Sequence, residues 1–348
     1  MPAFGPTPPP PRPSRAGDFF VSIAALCWFF LATELAARSA AGISQRLDSV
    51  ALGSVLKPLF LLFLLAVGFA TLEMVSRRQT STRAILGLPR RPTAGREWAT
   101  GVAIGWGALV LAVLPVAVFG ALRVRMWTEP RAFVYLGANL LGAALWALAV
   151  EVGFRGYAFR RMIEAIGPTA ASILLSLVFG LTFGLASGHG SGASLVSVTV
   201  VLIFGLLLSL AWLRTYGLWL GWGLGYAWVA SAGILFGLPV GGSTDLSSVV
   251  QTVAVGSRAL TGGRFGLEAA PFTVVAMLCA VVGLIRLTRD WSWNYTFRPI
   301  FPGGYPVEVA PPAVHAAVVA AEESSRDVPL VQILPATPKE RSAAPPPG

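Results

Sequence analysis

The chain has 348 residues, 55% of them hydrophobic and only 12% charged, against roughly 25% charged in an average soluble domain. That balance suits a chain solvated by lipid and excludes an ordinary soluble enzyme. A net charge of +10 would suit a nucleic-acid binder only if its basic residues were gathered on a water-facing surface. Here they sit between apolar runs, so the expected partner is the lipid bilayer and no nucleic acid. Arginine supplies nearly all the positive charge, Lys57 and Lys339 being the only lysines, which hints at a GC-rich bacterial genome.

In chain order, residues 1–18, centred on PTPPPPRP, read as a disordered proline-rich tail. A hydrocarbon core of about 30 Å takes about 20 mainly apolar residues as a helix, and eight runs meet that length. They lie at 19–42, 50–74, 99–122, 132–155, 168–187, 194–213, 216–237 and 270–287. The first is too long for a signal-peptide core and is expected to stay in the membrane. Continuous rather than alternating hydrophobicity argues against a barrel, so the expected fold is an all-α integral membrane protein of about eight transmembrane helices. Two N-terminal helices occupy 19–80, a membrane core 81–242, and an outer loop, the last helix and an aromatic interfacial segment 243–299. The loop itself, 238–269, is rich in glycine and serine, and Trp291, Trp293, Tyr295 and Phe297 read as an aromatic belt. Residues 300–348 form a second disordered tail. Cys27 and Cys279 fall in separate apolar runs and are expected as buried thiols, without a disulfide.

Arginine asymmetry orients such a bundle, because cytoplasmic loops collect Lys and Arg. Arg12 and Arg15 precede the first span, six arginines between Arg77 and Arg96 follow the second, Arg155, Arg160 and Arg161 follow the fourth, Arg214 the sixth, and Arg286 and Arg289 the eighth. All fall on one side, which predicts both termini in the cytoplasm and a bacterial inner or plasma membrane. The weak points of this topology are Arg123, Arg125 and Arg131, which it leaves on the outer side.

A charge within a span costs several kcal/mol unless it is paired or hydrated, so each is a candidate functional group. Glu151 and Arg155, at the cytoplasmic end of the fourth span, are four residues apart and share a helix face. They are either an ion pair that locks the bundle or part of a site. Glu34 with Arg38, and Glu73 with Arg77, have the same spacing and the same ion-pair reading.

The stretch Val150 to Gly156, VEVGFRG, resembles the paired-glutamate motif of the CPBP, or CAAX-protease-type, intramembrane metalloproteases. There Glu-Glu-x-x-x-Arg carries Phe before the Arg and Gly after it, and Val150 stands where the first glutamate would be. The resemblance covers roughly residues 85–242. ILGLPRR, Ile85 to Arg91, is similar to the amphipathic lead-in of the family core, and FGLASGHGSGA, Phe183 to Ala193, to its second motif, with Ser187 at the histidine position. Residues 208–228 are similar to the third motif and its approach, whose histidine and asparagine positions hold Gly225 and Val229. FGLPVGG, Phe236 to Gly242, is similar to the family's pattern after that helix.

This resemblance implies a metallo-endopeptidase in which the first glutamate activates water while two histidines and an asparagine bind metal or stabilise the oxyanion. All four positions, Val150, Ser187, Gly225 and Val229, are apolar or small here. Catalytic zinc typically takes three protein ligands, yet the chain has two histidines, His189 and the tail residue His315. The leading expectation is therefore a pseudoprotease without a cofactor that binds prenylated or transmembrane peptide segments, or a membrane-protein partner. The alternative is an active endopeptidase with zinc and an atypical site in which Glu151 and His189 are catalytic and Arg155 is the structural ion-pair partner of Glu151. A serine nucleophile at Ser187 lacks the usual elbow motif. A small transporter stands last, since no internal repeat is visible.

Overall fold

The computed structural model describes residues 15–76, 85–185, 194–289 and 291, all within one unit that runs to Tyr295. Its helices are α1 (Arg15–Arg46), α2 (Val50–Val75), α3 (Ala94–Phe119), α4 (Pro130–Glu151), α5 (Phe159–Ile166), α6 (Pro168–Leu185), α7 (Leu195–Thr215), α8 (Trp219–Ala230), a short α9 (Arg258–Thr261) and α10 (Pro271–Leu287). A π-helical stretch, Val152–Ala158, joins α4 to α5 without a break, and a second, Ser231–Leu235, extends α8.

Six helices among the described residues are long and apolar enough to cross a bilayer: α1, α2, α3, the continuous rod Pro130–Ile166, α6 and α7. The expected spans at 216–237 and 270–287 are apolar helices that fall short of that length, α8 with its extension and the 17-residue α10. The start and stop chemistry is local. Pro130 and Pro271 open their helices at positions that need no backbone N–H. Ser194 and Ser197 cap α7 reciprocally, each hydroxyl accepting the other's backbone N–H, while Ser197 Oγ donates to Gly184 O of α6 at 2.9 Å. Gly167, at φ +87°, ends α5 and lets Pro168 begin α6 at once.

Between apolar helices in lipid, association comes from close packing of small residues. In α3, a Cβ on Gly101 would lie 2.1 Å from Leu220 O, and one on Gly105 2.5 Å from Leu224 O; in α8, one on Gly223 would lie 2.1 Å from Trp98 O. The two backbones therefore touch along α3 and α8. Ahead of them, the 85–91 lead-in docks on the α7–α8 turn. Leu218 N donates to Gly87 O at 3.1 Å, Trp219 Nε1 to Pro89 O at 3.0 Å, and Arg91 to the carbonyls of Thr215 and Tyr216. Gly87 sits at φ +72° with Leu218 and the Gly156 backbone against it, a place for glycine only.

Four expectations are corrected. The third run ends as helix at Phe119, and Ala121–Met126 form strand β1, antiparallel to β2 (Val250–Val255) from within the outer loop. The chain after Arg155 is not a loop: the rod continues to Ile166, carrying Arg155 and Arg161 into the protein interior. Helix begins at Arg15, inside the expected tail. Cys27 and Cys279 are free, as expected, but exposed on helix surfaces rather than buried. Of the expected aromatic belt only Trp291 is among the described residues, with the Arg96 guanidinium 5.5 Å from its ring centre.

Candidate functional site

Glu151 closes α4 and Arg155 lies in the π-helical stretch that follows, so the pair sits well inside the Pro130–Ile166 rod rather than at its end. A π-helical turn inserts a residue into the helical repeat and is common at functional positions. Every residue of Val152–Ala158 is buried. Arg155 Nη1 donates to Glu151 Oε1 at 3.0 Å, and Nη2 to Gly205 O of α7 at 2.9 Å. Gly205 O also accepts from Ser209 Oγ at 3.0 Å, and Ser209 Oγ lies 3.4 Å from Ser176 Oγ of α6. The guanidinium rests 4.7 Å from the centre of the Phe179 ring. This polar thread ties the rod, α6 and α7 together beneath an aromatic lid in which Phe154 meets Phe29, Phe179 and Phe183 edge-on or tilted.

The second carboxylate oxygen, Glu151 Oε2, has no hydrogen-bond partner among the described residues. It points at Gly221 of α8, where an added Cβ would come within 2.5 Å of it. Glycine at 221 thus leaves the space that the carboxylate fills.

Among the described residues, the other predicted positions contribute no polar side chain. Val150 is buried. Val229, partly buried, packs against the apolar cluster of Ala143, Ala230 and Ile234. A Cβ on Gly225 would make an ordinary contact at 3.8 Å with Ala147 of α4. Ser187, His189 and His315 lie outside the described residues. Catalytic zinc needs about three donor side chains, and Val150, Gly225 and Val229 supply none, while one oxygen of Glu151 is committed to Arg155. Among the described residues no three His, Cys, Asp or Glu side chains converge. Val150, Gly225 and Val229 therefore offer zinc no side-chain ligand.

The structure also assembles a second buried polar cluster that sequence reasoning missed. Arg161, in α5, pairs with Asp18 of α1 at 3.4 Å, Glu164 at 3.2 Å and Glu73 of α2, with its guanidinium 5.0 Å from the Tyr157 ring centre. The partner expected for Glu73, Arg77, lies outside the described residues. Glu34 and Arg38 are both exposed on α1, and no ion pair among the described residues joins them. The signal for the Arg161 cluster is the Gly167–Pro168 stop, which places the helix end well beyond Arg155.

Outside the spanning helices, Glu268 is buried in the one-turn helix before α10 and accepts from Trp228 Nε1 of α8 at 3.1 Å. Desolvation raises its pKa above the usual carboxylate range, partly offset by hydrogen bonds from Trp228 and from the backbone. A carboxyl whose folded pKa is raised stabilises the fold fully below its unfolded pKa and loses that contribution as pH rises through the folded value. Hydrogen exchange across 238–269 is therefore expected to speed up as pH rises through that window, after correction for intrinsic rates. Glu268→Gln should flatten the dependence, and an unchanged slope in that variant would contradict the assignment.

Residues 132–231, which hold Glu151, Arg155, Gly205, Gly221 and Gly225, match the family model described as type II CAAX prenyl endopeptidase Rce1-like. No curated protein matches the chain. Apolar spans, the ordered short motifs and this match agree: within a multi-pass membrane protein, residues 132–231 are similar to the membrane core of the CPBP, or CAAX-protease-like, family.

Proposed function

We propose that this protein keeps the CAAX-protease-like membrane core as a binding scaffold and has lost the peptidase chemistry. Its ligands are hydrophobic segments: prenylated or transmembrane peptides, or a membrane-protein partner. The observation that carries this reading is the chemistry at the motif positions. Val150, Gly225 and Val229 have no donor atoms, and Glu151 is spent on a buried ion pair that stitches helices together. A carboxylate held by a guanidinium on one oxygen and packed against Gly221 on the other is a poor base for activating water.

The test is an assay of the full chain in detergent or nanodiscs with a fluorescent prenylated peptide and a transmembrane peptide. Saturable binding with intact peptide recovered supports the proposal. Cleavage abolished by a chelator would overturn it in favour of an endopeptidase using Glu151 and His189 with zinc. That second reading rests on the unpartnered Glu151 Oε2. It requires Glu151→Gln and His189→Ala each to stop cleavage in a folded protein. We further propose a cytoplasmic face at the bundle end where α3 begins and α7 and α10 finish. Arg90, Arg91, Arg96, Arg214, Arg286 and Arg289 gather there. A C-terminal tag protected from protease in sealed right-side-out vesicles would agree, and a cleavable one would not.

A further inference from the structure

The end of the bundle opposite those arginines carries a different basic feature. Strand β1 leaves α3 directly after Phe119 and leads into α4 at Pro130, with β2 paired along it from Ala121↔Val255 to Met126↔Val250. Backbone hydrogen bonds from Thr252 N to Gly237 O, 3.0 Å, and from Trp127 N to Val249 O, 2.7 Å, hold the ribbon to its surroundings. α3 has 26 residues, about 39 Å at 1.5 Å per residue. That carries its last turn through the hydrocarbon core to the headgroup level, and the ribbon begins there.

The ribbon and its flanking turns, residues 120–131 and 238–270, contain Arg123, Arg125, Arg131, Arg258 and Arg264, all exposed. Among the described residues none of the five has an ion-pair partner, whereas Arg91, Arg155 and Arg161 all do. The same segments offer only two exposed acids, Glu129 and Asp245. Arg123 and Arg125 share one face of β1, since side chains alternate along a strand. Interleaved with them are large apolar side chains that remain open: Val124 at 56%, Met126 at 69%, Trp127 at 51% and Val253 at 64% exposure. A strand edge meant for another polypeptide strand is not usually studded with unpaired cations. Guanidinium groups alternating with apolar side chains at headgroup level match a layer of phosphates above acyl chains.

We propose that this ribbon is a recognition element for anionic phospholipid: Arg123 and Arg125 take the phosphates, while Val124, Met126 and Trp127 enter the upper acyl region. The test uses the full chain in nanodiscs and reads Trp127 fluorescence as the difference between the parent and Trp127→Phe. Brominated phosphatidylglycerol in a phosphatidylcholine background should quench Trp127 more than brominated phosphatidylcholine in a phosphatidylglycerol background, and high salt should erase the preference. Arg123→Gln with Arg125→Gln should weaken the preference by roughly thirtyfold, at about 1 kcal/mol for each of the two surface cations. Arg123→Lys with Arg125→Lys should keep most of it, which separates charge from folding. Equal quenching by both lipids, or an unchanged preference in the glutamine pair, would overturn the proposal. So would protection of Trp127 by soluble polyglutamate without any lipid preference, which would assign the ribbon to an acidic polypeptide.

Discussion

Replacing Arg161 with methionine is expected to destabilise the protein by about 3–5 kcal/mol, the usual cost of removing one partner from a buried ion pair. The guanidinium is the cation shared by Asp18 of α1, Glu73 of α2 and Glu164 on its own helix. The two buried carboxylates, Asp18 and Glu73, then lose a cation where solvent screens charge little. Thermal unfolding in detergent should show the loss, and proteolysis should find α1 and α2 loosened first. Adding Asp18→Asn and Glu73→Gln should recover part of it, because neutral side chains no longer need the cation. A variant that melts like the parent would show that the cluster is solvated and contributes little.

The second large effect is expected at Arg155. Arg155→Met strands Glu151 inside the bundle and also leaves Gly205 O with one donor fewer, again about 3–5 kcal/mol. Removing both charges together, as Glu151→Leu with Arg155→Met, should cost clearly less than the sum of the single changes, since a buried pair replaced by apolar groups is often close to neutral. The coupling measured by the double-mutant cycle separates the two roles of Glu151. A large coupling with no loss of peptide binding fits a structural stitch. Little coupling, with peptide handling lost in Glu151→Gln alone, fits a residue that acts on the ligand.

Much of the architecture is legible because lipid solvation writes itself into long apolar runs. The runs 50–74, 194–213 and 270–287 match the helices Val50–Val75, Leu195–Thr215 and Pro271–Leu287 nearly to the turn. The correspondence fails where arginine is equated with water. Arg155 and Arg161 look like loop cations in the sequence, yet each is neutralised by carboxylates, and all but Glu151 and Glu164 come from distant helices. The pairing of Arg161 with Asp18 and Glu73 is tertiary and not written in either segment, whereas Glu151–Arg155 is readable from its spacing of four. The β1–β2 ribbon does have a local signature: Leu122, Val124 and Met126 alternate with Arg123 and Arg125, the period-two pattern of a strand. The apolar run of α3 masks it by extending over its first residues.

At the candidate site, the motif words locate the Glu151–Arg155 pair and the positions around it. They do not show that Glu151 Oε2 faces Gly221, because helix-to-helix register is not a property of either segment. Nor do they indicate the π-helical turn that carries Phe154 into contact with Phe29, Phe179 and Phe183.

The central claim is that the core persists while its metal chemistry does not. Metal analysis of the full chain, purified in detergent after growth and dialysis with zinc, tests this most directly. The account predicts zinc well below one equivalent, with no change in thermal stability on adding a chelator. One tightly held equivalent, lost together with stability or peptide cleavage when Glu151 is changed to Gln, would contradict it.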